Sequence, residues 1–292
     1  SLNDQVCCFD PEAKRLHYAA PEKIWRYDYS GTMLRLQSPS FDALITPNHR
    51  LVVKPVWESK VTSRTKYADG WNFVEAKSVD GQSLLMPWAT SFDDQEESCI
   101  DDAKLKIMGW WIAEGWETMG SIAFCQAVGP IADQMQRTLE ESGLMFTSRV
   151  TNYLKHEQPM WVARLKVRHD LATRGFAKMI MRDCGVGCAD KKIPSWVWQM
   201  SLRQKEVLLQ ALIDGDGSDR REDSFSYATT SRQLADDVQR LSIEVGRMAV
   251  ISGQTGGRLW HLPRYQVSIG RRSRHAISLR KSRHITEEQY TG

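Results

Sequence analysis

Two stretches decide the reading of this chain: Ile107-Met108-Gly109-Trp110-Trp111-Ile112-Ala113-Glu114-Gly115 and Leu209-Gln210-Ala211-Leu212-Ile213-Asp214-Gly215-Asp216-Gly217. Each is an apolar helical pattern with small residues spaced along it, and each ends in an acid followed by glycine. Residues three to four apart share a helix face. Gly109 and Ala113 are so placed on the first stretch, Ala211 and Gly215 on the second. Small residues at that spacing let two helix backbones come close. Gly115 and Gly217 suit the left-handed position just past a helix end. If the helices cross side by side, Glu114 and Asp216 arrive together at one end. Two close carboxylates repel, and a divalent cation relieves the repulsion. The plainer alternative is two buried helices with acidic ends. The helix macrodipole disfavours acids there, so placing one twice at matching positions points to a use.

The segments after these two stretches also repeat. Ile131-Ala132-Asp133-Gln134-Met135-Gln136-Arg137 resembles Leu234-Ala235-Asp236-Asp237-Val238-Gln239-Arg240, and Glu141 and Gly143 correspond to Glu244 and Gly246. The offset is 102 residues from Glu114 to Asp216 and 103 from Ile131 to Leu234. Each half then reads helix, strand, strand, helix, strand, strand. The strands are predicted at 121–126, 146–154 and 161–168, and again at 224–229, 247–252 and 265–269.

The paired acid–glycine helices and the repeat resemble the LAGLIDADG homing endonucleases. The resemblance implies an α+β fold in which two pseudo-symmetric αββαββ halves join to form a DNA-binding saddle. It also implies hydrolysis of double-stranded DNA at a long recognition site. Glu114 and Asp216 would be the catalytic and metal-binding acids, holding Mg²⁺, with Mn²⁺ or Ca²⁺ as substitutes in binding. Such an ion activates water and stabilises the leaving oxygen of a phosphodiester. By the same resemblance, Lys191 or Lys192 would place a cation near one scissile phosphate; a surface pair capping the following helix is the equal alternative.

Charge supports a nucleic-acid partner. The net charge is only +3. Yet between Val245 and Thr286 there is no Asp or Glu against nine Lys or Arg, among them Arg258, Arg264, Arg271, Arg272 and Arg274. The matching strands of the first half carry Arg149, Lys155, Arg164, Lys166 and Arg168. Surfaces of one sign bind phosphate, and arginines on strands can read guanine in the major groove. Asp93, Asp94, Glu96, Glu97, Asp101 and Asp102 crowd one stretch, which reads as a solvated linker at 93–104.

The first ninety residues read as strands between turns. Leu44-Ile45-Thr46-Pro47-Asn48-His49-Arg50-Leu51 resembles the Thr-x-x-His block of the Hint fold of inteins and hedgehog autoprocessing domains. In that family Thr46 and His49 would polarise a scissile peptide. Large inteins carry a Hint domain interrupted by a LAGLIDADG endonuclease, so the resemblance extends over nearly the whole chain. It departs at both ends. Ser1-Leu2-Asn3-Asp4 is unlike the family's opening, and no terminal His-Asn pair is present. No self-splicing is therefore expected.

The expected organisation is an all-β partial Hint-like domain at 1–92, the linker at 93–104 and an endonuclease domain at 105–286. The endonuclease halves are 105–200 and 201–286, and 287–292 opens a return strand. With 292 residues, 41% of them hydrophobic and 26% charged, the balance is that of an ordinary globular protein. No apolar run suits a membrane and no signal peptide opens the chain. The six cysteines show no disulfide framework, and Cys184 with Cys188 has no second pair for zinc. The expectation is a cytoplasmic monomer. The alternatives are an intein splicing fragment and a non-cleaving LAGLIDADG nucleic-acid-binding protein, a maturase or a regulator.

Overall fold

A computed structural model describes the chain except residues 1–3, 39–40, 59–64, 68, 80–82, 88, 90–91, 93–94, 153–157, 222, 255–262, 271–275, 281–284 and 292. The chain forms two compact units. One comprises residues 1–93, 243–250 and 271–292, the other residues 94–242 and 251–270.

The first unit is built of strands. β1 (Val6–Asp10) and β2 (Arg15–Ala19) form a hairpin. Then come β3 (Ser30–Ser38), β4 (Phe41–Ile45), β5 (Arg50–Glu58), β6 (Thr65–Tyr67), β7 (Asn72–Glu75), a 3-10 turn at Ala76–Val79, and β8 (Ser83–Pro87). Alternation places Leu34, Leu36, Leu51, Val53 and Leu84 in one apolar core with Ala76 and Val79. Arg35, between the two core leucines of β3, pairs with Asp42 at 2.8 Å and Glu288 at 3.3 Å.

The second unit holds the helix-and-strand repeat, except residues 243–250, at the end of its last helix and the start of the strand that follows, which group with the first. α1 (Asp102–Glu114), β9 (Trp116–Thr118), β10 (Ser121–Ala127), α2 (Pro130–Glu141), β11 (Phe146–Thr151) and β12 (Met160–Leu165) make the first half. α3 (Leu171–Cys184) and a 3-10 turn at Ser195–Gln199 lead to the second half. That half comprises α4 (Leu202–Asp216), β13 (Gly217–Arg221), β14 (Ser224–Thr229), α5 (Arg232–Glu244), β15 (Ala249–Gln254) and β16 (Arg264–Ile269). The two sheets have equivalent orders, β9-β10-β12-β11 and β13-β14-β16-β15. Within β12, Trp161, Ala163 and Leu165 are buried while Val162 and Arg164 alternate with them, so one sheet face carries the core and the other meets solvent.

Three expectations are corrected. First, β17 (Ala276–Arg280) does not extend the second half; it pairs with β8 of the strand unit. β18 (Ile285–Thr291) pairs with β3 from Leu36 to Ser30, so the return begins before residue 287. Backbone pairing with an open neighbouring strand outweighs the local basic composition that grouped these residues with the repeat.

Second, the acidic stretch is not merely solvated. Glu97 and Asp102 both pair with Arg203, the latter at 2.7 Å. The buried Gln204 amide accepts from Ser98 N at 2.8 Å and donates to the carbonyls of Ser98 and Ile100. Asp101 caps α1 by accepting from Lys104 N at 2.8 Å. The segment is docked on the start of α4.

Third, α3 lies where no helix is predicted. Asp170 caps it by accepting from Thr173 N at 2.6 Å, and Phe176, Ala177, Ile180 and Cys184 form its buried stripe.

Candidate active site

α1 and α4 cross through their small residues. A Cβ added at Gly109 would lie 2.6 Å from the Cβ of Ala211, and one at Gly215 would lie 2.6 Å from the Cβ of Ala113. The contacting residues are each other's counterparts in the repeat. Such self-pairing arises where two like elements meet on a two-fold axis. α1 is buried almost all round, with Leu105, Ile107, Met108, Trp110, Trp111 and Ile112 at most 1% exposed.

The glycines after the acids are extended, not left-handed: Gly115 has φ −74° and ψ 147°, Gly217 φ −80° and ψ 153°. Glycine is needed there for space. A Cβ on Gly115 would fall 2.7 Å from Trp111 Cα, and one on Gly217 would fall 2.3 Å from the Ile213 carbonyl oxygen. Each chain folds tightly over its helix's last turn, with Gly115 N donating to Trp111 O and Gly217 N to Ile213 O. It then runs straight into a strand, and this carries both acids to the same kind of exit.

Glu114 is half-buried and accepts a hydrogen bond from Gln126 Nε2 at 2.6 Å. Burial first, and the Asp216 charge second, push its carboxyl up to about 8 despite that bond. Asp216 is exposed by its solvent-accessible surface, although protein atoms around the carboxyl still desolvate it. Its carboxyl rises to about 6, chiefly through desolvation, with Lys191 opposing. A raised acid pair is what like charges in a poorly solvated place produce. A divalent cation would reverse both shifts.

Lys191 is buried, 3% exposed. Its Nζ donates to Trp111 O at 2.5 Å and to Gly115 O at 3.2 Å, and lies 3.5 Å from the centre of the Trp111 ring. It therefore closes the carbonyl end of α1, not the start of the following helix, and offsets the negative end of that helix's dipole. Desolvation brings its ammonium down to about 7. Its loop is pinned on both sides. Ser231 Oγ donates to Lys191 O at 2.7 Å and Ile193 N donates to Asp237 Oδ2 at 2.9 Å. Lys192 is exposed, its backbone N donating to Cys184 O at 3.0 Å.

Of the basic residues, Arg149 and Arg164 line an open trough of about 450 Å³ on the solvent face of the first sheet, with Trp116, Thr118, Thr147 and Val162. Arg164 also donates to Thr118 O at 3.1 Å. Lys166 and Arg168 border a neighbouring trough of about 300 Å³. Arg264 opens β16 and is exposed. Lys155, Arg258, Arg271, Arg272 and Arg274 lie outside the described residues. Thr46 and His49 form a tight turn between β4 and β5, His49 N donating to Thr46 O at 3.0 Å. Gln126, bonded to Glu114, and Tyr227, buried within reach of both acid charges, are neighbours of the acids that the sequence reading missed. The signal for both was their place on the strand after each motif, where the repeat aligns Phe124 with Tyr227.

The donor set suits a hard cation. Two carboxylates favour Mg²⁺-like ions, which keep several waters and bind through one or two carboxylates plus phosphate oxygens; the nearby Cys125 thiol, raised by burial and by Glu114, stays protonated. Among the described residues no group of three or more His, Cys, Asp or Glu side chains gathers elsewhere to hold a metal.

The chain is 23% identical over 289 residues to an ATP-dependent Clp protease proteolytic subunit of Chlamydomonas moewusii, matching 86% of this chain and 26% of that protein. It is 49% identical over 67 residues to a DNA gyrase subunit of Mycobacterium gordonae, matching 22% of this chain and 12% of that one. The chain thus spans about a quarter or less of these relatives' length. Among solved structures it is similar to I-DmoI in complex with DNA and Mn, at 13% identity and a TM-score of 0.39 over 58% of this chain and 89% of that one. It is also similar to full-length DUF199/WhiA from Thermatoga maritima, at 9% identity and a TM-score of 0.38 over 57% and 50%. Residues 204–278 match the LAGLIDADG-like domain family, so the half that ends α4 in Asp216 carries a LAGLIDADG domain.

Proposed function

We propose that this chain is a site-specific endonuclease that hydrolyses double-stranded DNA with a divalent cation. The observation that carries the reading is the acid pair: Glu114 and Asp216 end two helices in backbone contact, close enough for the charge of Asp216 to raise Glu114. Glu114 and Asp216 would hold Mg²⁺ or a like ion, whose chemistry is to polarise water and the scissile phosphodiester. The chain's own residues do the rest. Gln126 orients Glu114, and Lys191 fixes the exit of α1 and offsets charge beside Asp216. Arg149, Arg164 and Arg264 offer cations to backbone phosphates. The segment shared with this chain also recurs in proteins named for unrelated activities, one a protease component and the other a gyrase component. A mobile element with an activity of its own gives that distribution.

A second reading concerns the strand unit, which we take as a partial Hint-like domain with Thr46 and His49 on its turn. It is favoured by one observation: the unit's sheets are completed by strands from both sides of the repeat. Splicing or peptide cleavage by a precursor with native flanks would test it. For the nuclease, the protein is incubated with a plasmid library and Mg²⁺ and the ends are sequenced. Recurrent ends at one long sequence are expected. Intact plasmid with tight DNA binding would leave a non-cleaving regulator in its place.

A further inference from the structure

Tyr227 is 1% exposed, yet its hydroxyl has no hydrogen-bond partner. Trp110 Nε1 and Thr230 Oγ1 share that condition; Tyr227 in addition lies near enough to Asp216 and Glu114 to feel both charges. The backbone explains why. Tyr227 stands directly across the ladder from Gly217, the residue that follows Asp216. In the first half Trp116 pairs with Ala123, which puts Phe124 in the same place relative to Gly115. Phe124 is also 1% exposed. The fold therefore accepts a bare phenyl ring at this position, and the second half has added a hydroxyl. A buried hydroxyl without a partner costs stability, so this one is retained against the packing preference.

We propose that Tyr227 is a positioning residue of the acid pair, its hydroxyl donating a hydrogen bond to water that enters with the divalent cation between Glu114 and Asp216. The inference rests on the acid-pair reading above. It makes the two acids unequal. Glu114 is steadied by a side-chain amide from Gln126, and the Asp216 side is steadied by a phenol through water. Groups behind the direct ligands of a metal commonly change its affinity by about 10- to 100-fold.

The test uses the full chain and the isosteric variant Tyr227→Phe, with Asp216→Asn as control. Cation binding is followed without DNA, by terbium luminescence sensitised through the nearby tryptophans and by its displacement with Mn²⁺. Tyr227→Phe is expected to melt, without cation, at the parent temperature or above it. It should bind Mn²⁺ about tenfold or more weakly and lose cleavage in proportion. Unchanged Mn²⁺ affinity overturns the inference, whether melting is unchanged or lowered, because the hydroxyl then serves packing alone. If the parent binds no cation and Asp216→Asn changes nothing, the acid-pair reading falls and takes this one with it. Should Tyr227→Phe not yield folded protein, fluorotyrosine placed at position 227 gives a resonance that should move on Mg²⁺ addition; a resonance indifferent to Mg²⁺ overturns the proposal.

Discussion

Glu114 and Asp216 both have carboxyls raised above the ordinary range, Glu114 by desolvation and the charge of Asp216, Asp216 by desolvation. Glu114→Gln or Asp216→Asn is expected to abolish cleavage and leave DNA affinity nearly intact, since affinity comes from phosphate contacts elsewhere. A gel-shift titration beside a cleavage assay separates the two, and full cutting by either variant removes that residue from the site. The same carboxyls give a pH dependence. Both are raised in the folded protein, to about 8 and about 6. Protons that the folded state keeps are lost by the unfolded chain near the ordinary carboxylate values. Stability without cation should therefore be greatest below about pH 4, where both states are protonated, and fall as pH rises through about 6. Lys191, brought down to about 7, is charged in both states below that pH and does not mask the trend. Melting curves at pH 5 and pH 7 should show the fall in the parent, its near-absence in the double variant Glu114→Gln with Asp216→Asn, and its reversal by Ca²⁺. A parent whose melting is flat over that range contradicts the burial of the pair. Sequence singled out the acids because their spacing repeats. It could not show the Gln126–Glu114 hydrogen bond or the buried Tyr227 hydroxyl, which depend on which strand face lies against the helix ends.

At the scale of the element, the crossed helices test the reading most sharply. Gly109→Ala places a methyl 2.6 Å from the Ala211 Cβ. The gain in helix propensity, about 1 kcal/mol, is set against overpacking of about 1–3 kcal/mol, and the clash should win. Gly175 sits inside α3 with nothing within 4 Å of an added Cβ. Gly175→Ala should therefore stabilise by about 0.5–1 kcal/mol. Chemical denaturation of both variants decides the matter: a stabilised Gly109→Ala would mean that the helices do not touch there. The crossing was legible because small residues four apart have few other uses. The helix ends were misread because glycine after a helix usually signals a left-handed turn. The need for space over Trp111 and Ile213 is a tertiary fact. α3 escaped because the reading of each half stopped at its last predicted strand, at 161–168 in the first, and α3 begins at Leu171.

For the whole molecule, charge placement is the testable matter. Arg149 and Arg264 are exposed on described strands of the two halves. Arg149→Ala and Arg264→Ala should each weaken DNA binding and lower the slope of log affinity against log salt by about one. If either reads a base, the loss falls instead on particular target positions, at about 1–3 kcal/mol. Titrations at several salt concentrations on cognate and scrambled duplexes tell these apart, and an unchanged slope and affinity would make these arginines mere surface. His49→Ala, in the other unit, should leave the cleavage rate unaltered. The repeat was legible across the molecule from an offset that shifts by only one residue, from 102 to 103. A return strand was expected at 287–292, but its start at Ile285 and the whole of β17 were not, because both strands find their partners about 200 residues or more upstream, beyond any local pattern.

That long return has a consequence for how the protein is made. The repeat unit lies within 94–270, whereas β3 and β8 wait for β18 and β17. At about 5–20 residues per second the ribosome needs roughly 10–40 s to pass from Asp93 to Ala276. During that interval the edges of β3 and β8 are without these partners, while the unit between them can already fold behind the growing end. Synthesis thus hands the cell a finished repeat unit before it hands over a finished β unit. A chaperone or a competing strand has its opening in that interval.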